Sequence, residues 1–146
     1  MFDKILMPTD GSAYALQAAG YAADIGSKYG SEATLLYVAE LPPVLGIAAR
    51  ERKQEHMRLD LLGHAKESLQ KTLEVFEKAG VRAKEELIFG SAVPDILRYA
   101  RDGGYDLLVI GSRGAGTAAV EQILIGSVAE GVVHAAPCPV LLVRAA

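Results

Sequence analysis

The chain has 146 residues, 51% of them hydrophobic and 23% charged, with a formal net charge of -3. That is enough apolar material for one buried core, so a single domain over residues 1–146 is expected. The acidic balance argues against a general nucleic-acid binder, and the nearest basic run, Arg50-Glu51-Arg52-Lys53, carries its own carboxylate and reads as a solvated face.

Lys4 to Met7 is a short apolar run, read as the first strand, and it ends in the turn sequence Pro8-Thr9-Asp10-Gly11-Ser12. Ser12 is an N-cap for an Ala-rich helix that reaches about Lys28 and stops at Gly30. Tyr14, Ala18, Tyr21 and Ile25 share one face of it, and Leu16, Ala19 and Ala23 another. Ala33 to Val38 is continuously apolar, as expected of a second strand covered on both sides. The paired prolines Pro42-Pro43 exclude regular structure from Glu40 to Gly46, and the loop is expected to run to about Arg50.

A long amphipathic helix follows from about Glu51 to Lys78, with Met57, Leu61, Ala65, Leu69, Leu73 and Phe76 at helical spacing and Gly80 beyond its end. Val81 to Phe89 reads as a third strand, at a sheet edge because of its mixed polarity. Gly90-Ser91 opens a short helix with Pro94 in its first turn, where a missing N–H costs nothing, and Asp102-Gly103-Gly104 closes it. Asp106 to Ile110 is a buried fourth strand. After the glycine-rich stretch Gly111 to Gly116, the pattern Ser127-x-x-Glu130 is a capping box that starts the last helix. Val128, Val132, Val133 and Ala136 are expected to face inward, Pro137 stops the helix, and Pro139 to Val143 is the fifth strand.

Strands alternating with helices require parallel pairing and therefore an open, doubly wound α/β sheet with helices on both faces. Ligands of such sheets lie beyond the C-terminal strand ends, at the switch point. That rule places Asp10, after the first strand, on the ligand side, and Asp3 and Asp106 on the far side. Gly111, Gly114 and Gly116 also follow a strand C-terminus. A strand, a glycine-rich turn and a helix N-terminus together offer backbone N–H groups to an anion, so a phosphate site is expected, with a simple tight turn as the alternative. The chain has no Walker A sequence, and no G-x-G-x-x-G follows its first strand.

Three segments, Ile5 to Ser12, Leu107 to Gly114, and Gly126 to Glu130 continuing through Ala136 to Val143, resemble the universal stress protein family in order and spacing over essentially the whole chain. The resemblance implies a five-stranded parallel sheet ordered 3-2-1-4-5 and a homodimer. One branch of that family binds ATP through G-x-x-G, nine residues and G-[ST]; another branch lacks the motif. Gly111 and Gly114 match the first two glycines, and Gly126 with Ser127 the final pair, so their N–H groups and the Ser127 hydroxyl would hold phosphates. Asp10 matches the acidic residue near the nucleoside, with Pro8 and Thr9 lining the same pocket. Val38 matches the position whose backbone recognises adenine, Ile110 would lie near the nucleoside, and Val128 would donate an N–H.

Ala115 to Ile125 is eleven residues rather than nine; counted from Gly116 the spacer is nine, but Arg113 then stands where glycine is expected. Two extra residues that bulge outward would leave the phosphate nest intact, whereas residues turned inward would displace its second contact. Arg113 can reach a phosphate or remain solvated. ATP, or AMP or ADP, would bring magnesium or manganese with its phosphates rather than occupy a protein metal site.

The resemblance therefore implies an adenine-nucleotide-binding stress or signalling module; no base is found near the glycine turn, so at most slow hydrolysis is expected, and the apolar Val140–Val143 edge needs cover that a second copy would supply. A dimeric interaction module without nucleotide, and a phosphoryl- or nucleotidyl-transfer enzyme, are the alternatives. Cys138 alone excludes an intramolecular disulfide and reads as an inert buried thiol. The three histidines share no metal spacing. With no signal-peptide core and no transmembrane-length apolar stretch, a cytoplasmic location without membrane partners is expected.

Overall fold

The computed structural model describes residues 1–41, 47–114 and 125–144. Within them strands and helices alternate as β1 (Lys4–Pro8), α1 (Ala13–Tyr29), β2 (Glu32–Ala39), α2 (Ile47–Lys78), β3 (Ala83–Phe89), α3 (Ala92–Asp102), β4 (Leu107–Gly111), α4 (Ser127–Ala135) and β5 (Val140–Val143). The strands form one parallel sheet in the order β3-β2-β1-β4-β5. The chain runs outward from β1 to β3 on one side, then returns to place β4 against the other side of β1. The switch point therefore falls between β1 and β4.

The sheet is covered on both faces. On one, Ile5, Met7, Leu35 and Val109 meet Ala18, Ala22 and Ala23 of α1 and Ala65, Leu69 and Phe76 of α2. On the other, Leu6, Leu36, Leu108 and Ile110 meet Ile96 and Ala100 of α3 and Ala129 and Val132 of α4. Ile5, Leu6, Met7, Leu35 and Leu36 have no exposed surface. Each such side chain stabilises the fold by about 1.5–3 kcal/mol relative to exposure. Continuous apolar runs in β1, β2 and β4 are the sequence counterpart of this two-sided burial.

Ser12 caps α1, its hydroxyl accepting from Ala15 N at 3.2 Å, as its place before the Ala-rich run predicts. The buried stripe of α1 is Ala15, Ala18, Ala19, Ala22, Ala23 and Gly26. Such small residues bring the helix close: a Cβ on Gly26 would stand 2.9 Å from a Val81 methyl. Tyr21, expected on an inward face, is instead 54% exposed, because the small residues take the sheet side.

Other boundaries shift for identifiable reasons. The α2 helix begins at Ile47, within the stretch expected to be loop; residues 42–46, with both prolines, lie outside the described residues. Val81 precedes β3: it is buried, and its N–H bonds to Phe76 O, closing the end of α2. The α4 helix does start at Ser127, but its N-cap is Gly126, so Ser127 is the first helical residue and not the cap of a capping box. Ala129 and Val132 take its buried face, while Val128 and Val133, expected inside, are 38% and 44% exposed. At the end of the sheet remote from the switch point, the Asp106 carboxylate accepts from the N–H groups of Asp3 and Lys4 at 3.0 and 3.1 Å, joining β1 to β4.

Candidate functional site

Beyond the C-terminal ends of the strands, between β1 and β4, lies a cavity of about 810 Å³. Pro8, Thr9 and Asp10 enter it from the end of β1, Val38 from β2, and Ile110, Gly111, Arg113 and Gly114 from the end of β4. Gly126, Ser127 and Val128, at the start of α4, complete the wall. Gly116 lies outside the described residues. The cavity thus joins residues that the sequence separates by more than a hundred positions.

Asp10 is held by its own turn. Its Oδ1 accepts from Ser12 N at 2.9 Å, an Asx-turn that orients the carboxylate while α1 begins. Gly11 has φ +75, and an added Cβ would fall 2.4–2.8 Å from Ser68 of α2, so both backbone conformation and space require glycine. The second oxygen, Oδ2, faces Gly114, where an added Cβ would stand 2.8 Å away.

The β4 side departs from a nest of left-handed glycines. Among the described residues positive φ occurs only at Gly11, Gly30, Gly80 and Gly104. Gly111 belongs to the strand, and an added Cβ there would stand a tight 3.1 Å from Tyr14 O in the first turn of α1. Gly114 owes its identity to the approach of Asp10. Ser112, 1% exposed, then ties the wall together. Its N–H donates to Val143 O of β5 at 2.8 Å, and its carbonyl accepts from Gly126 N at 2.5 Å. The Gly126 N–H, expected to hold phosphate, is therefore already used inside the protein. Among the described residues, the helix-start donors without an intrahelical acceptor are those of Ser127, Val128 and Ala129, because intrahelical bonding begins with Glu130 N to Gly126 O. Gly126 has no side chain to cap them, and the positive end of the helix dipole lies there.

Several lining residues escape sequence reasoning. Glu40, at the end of β2, reaches 52 positions along the chain to accept from Ala92 N at 2.6 Å, capping α3. In the same turn Asp95 Oδ2 accepts from Ser91 N at 2.8 Å. No local pattern announces the first of these contacts. Tyr37 also lines the cavity; burial, then the Asp10 charge, raises its pKa above the ordinary phenol value. Among the described residues, Asp10, Glu40 and Glu130 give the lining three carboxylates and Arg113 one cation.

Outside the cavity, Cys138 is half-buried, and burial followed by the Asp106 charge raises its thiol pKa, which suits a poor nucleophile. Among the described residues no group of three or more His, Cys, Asp or Glu side chains is placed to hold a metal ion. No helix among them is long and apolar enough to cross a membrane.

A parallel 3-2-1-4-5 sheet with an open crevice at its switch point defines a doubly wound α/β domain. Residues 1–144 match the model of the universal stress protein family, and the chain belongs to that family. It is 35% identical to a universal stress protein of Methanocaldococcus jannaschii, the match covering 99% of this chain and 83% of that protein. Among solved structures, universal stress protein UspA from Lactobacillus plantarum superposes with a TM-score of 0.86 at 26% identity, covering 98% of each chain. The fold is shared with a universal stress protein in complex with cAMP (TM-score 0.73, 21% identity, 99% of each chain). It is shared too with one from Archaeoglobus fulgidus in complex with dAMP (TM-score 0.66, 22% identity, 97% of each chain).

Proposed function

We propose that this protein binds an adenine nucleotide, ATP in the first instance, in the crevice between β1 and β4, and acts as a homodimeric signalling module rather than as an efficient ATPase. The observation that carries the reading is that Asp10 and the first turn of α4, which has no side-chain cap, line one cavity. A carboxylate accepts hydrogen bonds from sugar hydroxyls. A helix N-terminus takes phosphate oxygens. Val38 offers backbone to the base beside Ile110, and the 810 Å³ volume suits a mononucleotide. Related proteins in complex with cAMP and dAMP favour the same class of ligand.

Two features refine it. Gly126 is pinned to Ser112 O, so the start of α4 stays beside the end of β4 despite the longer spacer between Gly114 and Gly126. This favours an intact phosphate wall over one displaced by the two extra residues. The three lining carboxylates oppose a polyanion, so a divalent cation is proposed to arrive with the phosphates, held chiefly by them. Dimerisation is proposed through β5, an apolar edge strand.

The test is to denature the purified protein and identify any released nucleotide by mass spectrometry, then to titrate ATP and AMP by calorimetry with and without magnesium. Released adenine nucleotide, or saturable ATP binding that weakens without magnesium, supports the reading. Absence of binding at millimolar ATP supports a dimeric interaction module instead.

A further inference from the structure

We propose that Ser68 and Thr72, two buried residues of α2, are positioning residues for the turn that carries Asp10, and that through them α2 becomes part of the ligand site without lining it. The inference rests on the nucleotide reading for its ligand, and on contacts within the protein for its geometry.

The inward face of α2 is apolar at Ala65, Leu69 and Phe76, but Ser68 and Thr72 interrupt it at 2% and 0% exposure. A hydroxyl at such a depth is costly unless it is bonded. The bonds run to one place. Thr72 Oγ1 donates to Ser68 O at 2.8 Å within the helix. That uses its only proton, so at the 2.9 Å contact between Thr9 and Thr72 the Thr9 hydroxyl is the donor. Thr9 Oγ1 in turn accepts from Gly11 N at 3.2 Å. Ser68 Oγ donates to Asp10 O at 3.1 Å.

The backbone on both sides of Asp10 is therefore fixed to α2, directly through Ser68 and by way of Thr9 from Thr72. The glycine at 11 lets the turn approach the Ser68 backbone this closely. Ser12 N on Oδ1 then fixes the carboxylate to a turn whose own backbone is fixed to α2. Packing alone gives no reason for hydroxyls here, because alanine and valine would fill the same space. Preorganising Asp10 does give one, because a site built on locked side chains loses less order on binding.

The test is a double-mutant cycle. Ser68→Ala, Thr72→Val and the conservative Thr72→Ser are each made alone and with Asp10→Ala. ATP affinity is measured by calorimetry, and amide hydrogen exchange is followed on the ligand-free protein. Ser68→Ala and Thr72→Val are expected to weaken ATP roughly three- to tenfold, and Thr72→Ser to restore most of the Thr72→Val loss. In the Asp10→Ala background the same changes should shift affinity by less than about twofold, because the group they position is gone. Equal losses in both backgrounds, or unchanged affinity in a protein that binds ATP, would overturn the proposal. If the wild-type protein binds no ATP, the nucleotide reading fails and exchange decides this one. Faster exchange confined to Gly11 and Ser12 in Ser68→Ala supports positioning, and unchanged exchange there overturns it.

Discussion

Gly114 and Asp10 face each other across the switch point, so closely that a Cβ on Gly114 would stand 2.8 Å from Asp10 Oδ2. Gly114 does not have positive φ, so its backbone accepts a side chain. Gly114→Val should push the carboxylate aside and fill part of the cavity without unfolding the protein. We expect nucleotide affinity to fall by at least about tenfold, roughly 1.4 kcal/mol, with little change in Tm. Calorimetric titration beside a thermal melt checks both.

At Gly11 glycine is required twice over, by φ +75 and by the Ser68 atoms within 2.8 Å, one of them backbone. Gly30 has φ +66 but nothing within 4 Å of an added Cβ. Gly30→Ala should cost about 1–2 kcal/mol, for the left-handed backbone alone. Gly11→Ala adds overpacking and should cost about 1–3 kcal/mol more. Urea unfolding of the two variants measures the difference; equal losses would mean that the turn moves away from α2 freely.

The pH dependence of stability has a defined sign at Tyr99. Burial, and then Tyr105 and Glu86, raise its pKa from 10.0 to about 12. The unfolded chain thus releases this proton near pH 10, while the folded protein keeps it until about pH 12. Ionisation favours the unfolded state across that window, so the contribution is intact below pH 10 and is lost as pH rises through it. The urea midpoint should fall between pH 10 and 12, and less steeply in Tyr99→Phe.

Dimerisation is checked by sedimentation velocity. The expected species has twice the 15.5 kDa chain mass. If β5 is the contact, a lysine at Leu141 or Leu142 on that edge should shift the protein toward monomer. A wild-type monomer at high micromolar concentration would contradict the assignment.

Strand–helix alternation, the apolar runs of β1, β2 and β4, and the Ser12 cap are local signals, and the fold was legible from them. So was the end of the sheet at which the crevice opens, because strand direction follows from parallel pairing. Less legible were features decided by tertiary contact. Val128 and Ala129 are neighbours, so one must face outward, and the nine residues of α4 span too few turns for hydrophobicity to choose. Pro42-Pro43 does constrain its own neighbourhood, yet a helix can resume a few residues later, as α2 does at Ile47. Gly111 and Gly114 read as turn glycines offering N–H groups to an anion, and the sequence alone does not show that an added Cβ would crowd Tyr14 O and Asp10. The Glu40–Ala92 and Thr9–Thr72 contacts join residues 52 and 63 positions apart, which no short motif can reveal.

The most direct measurement is an amide NMR titration of the isotope-labelled protein with ATP and magnesium. Binding across the switch point should shift the Ser127, Val128 and Ala129 amides together with those of Asp10 and Gly114, saturating below millimolar ATP, while Asp3 and Asp106 at the far end of the sheet stay still. An unchanged spectrum at millimolar ATP, or shifts confined to residues away from the crevice, would contradict nucleotide binding at this site.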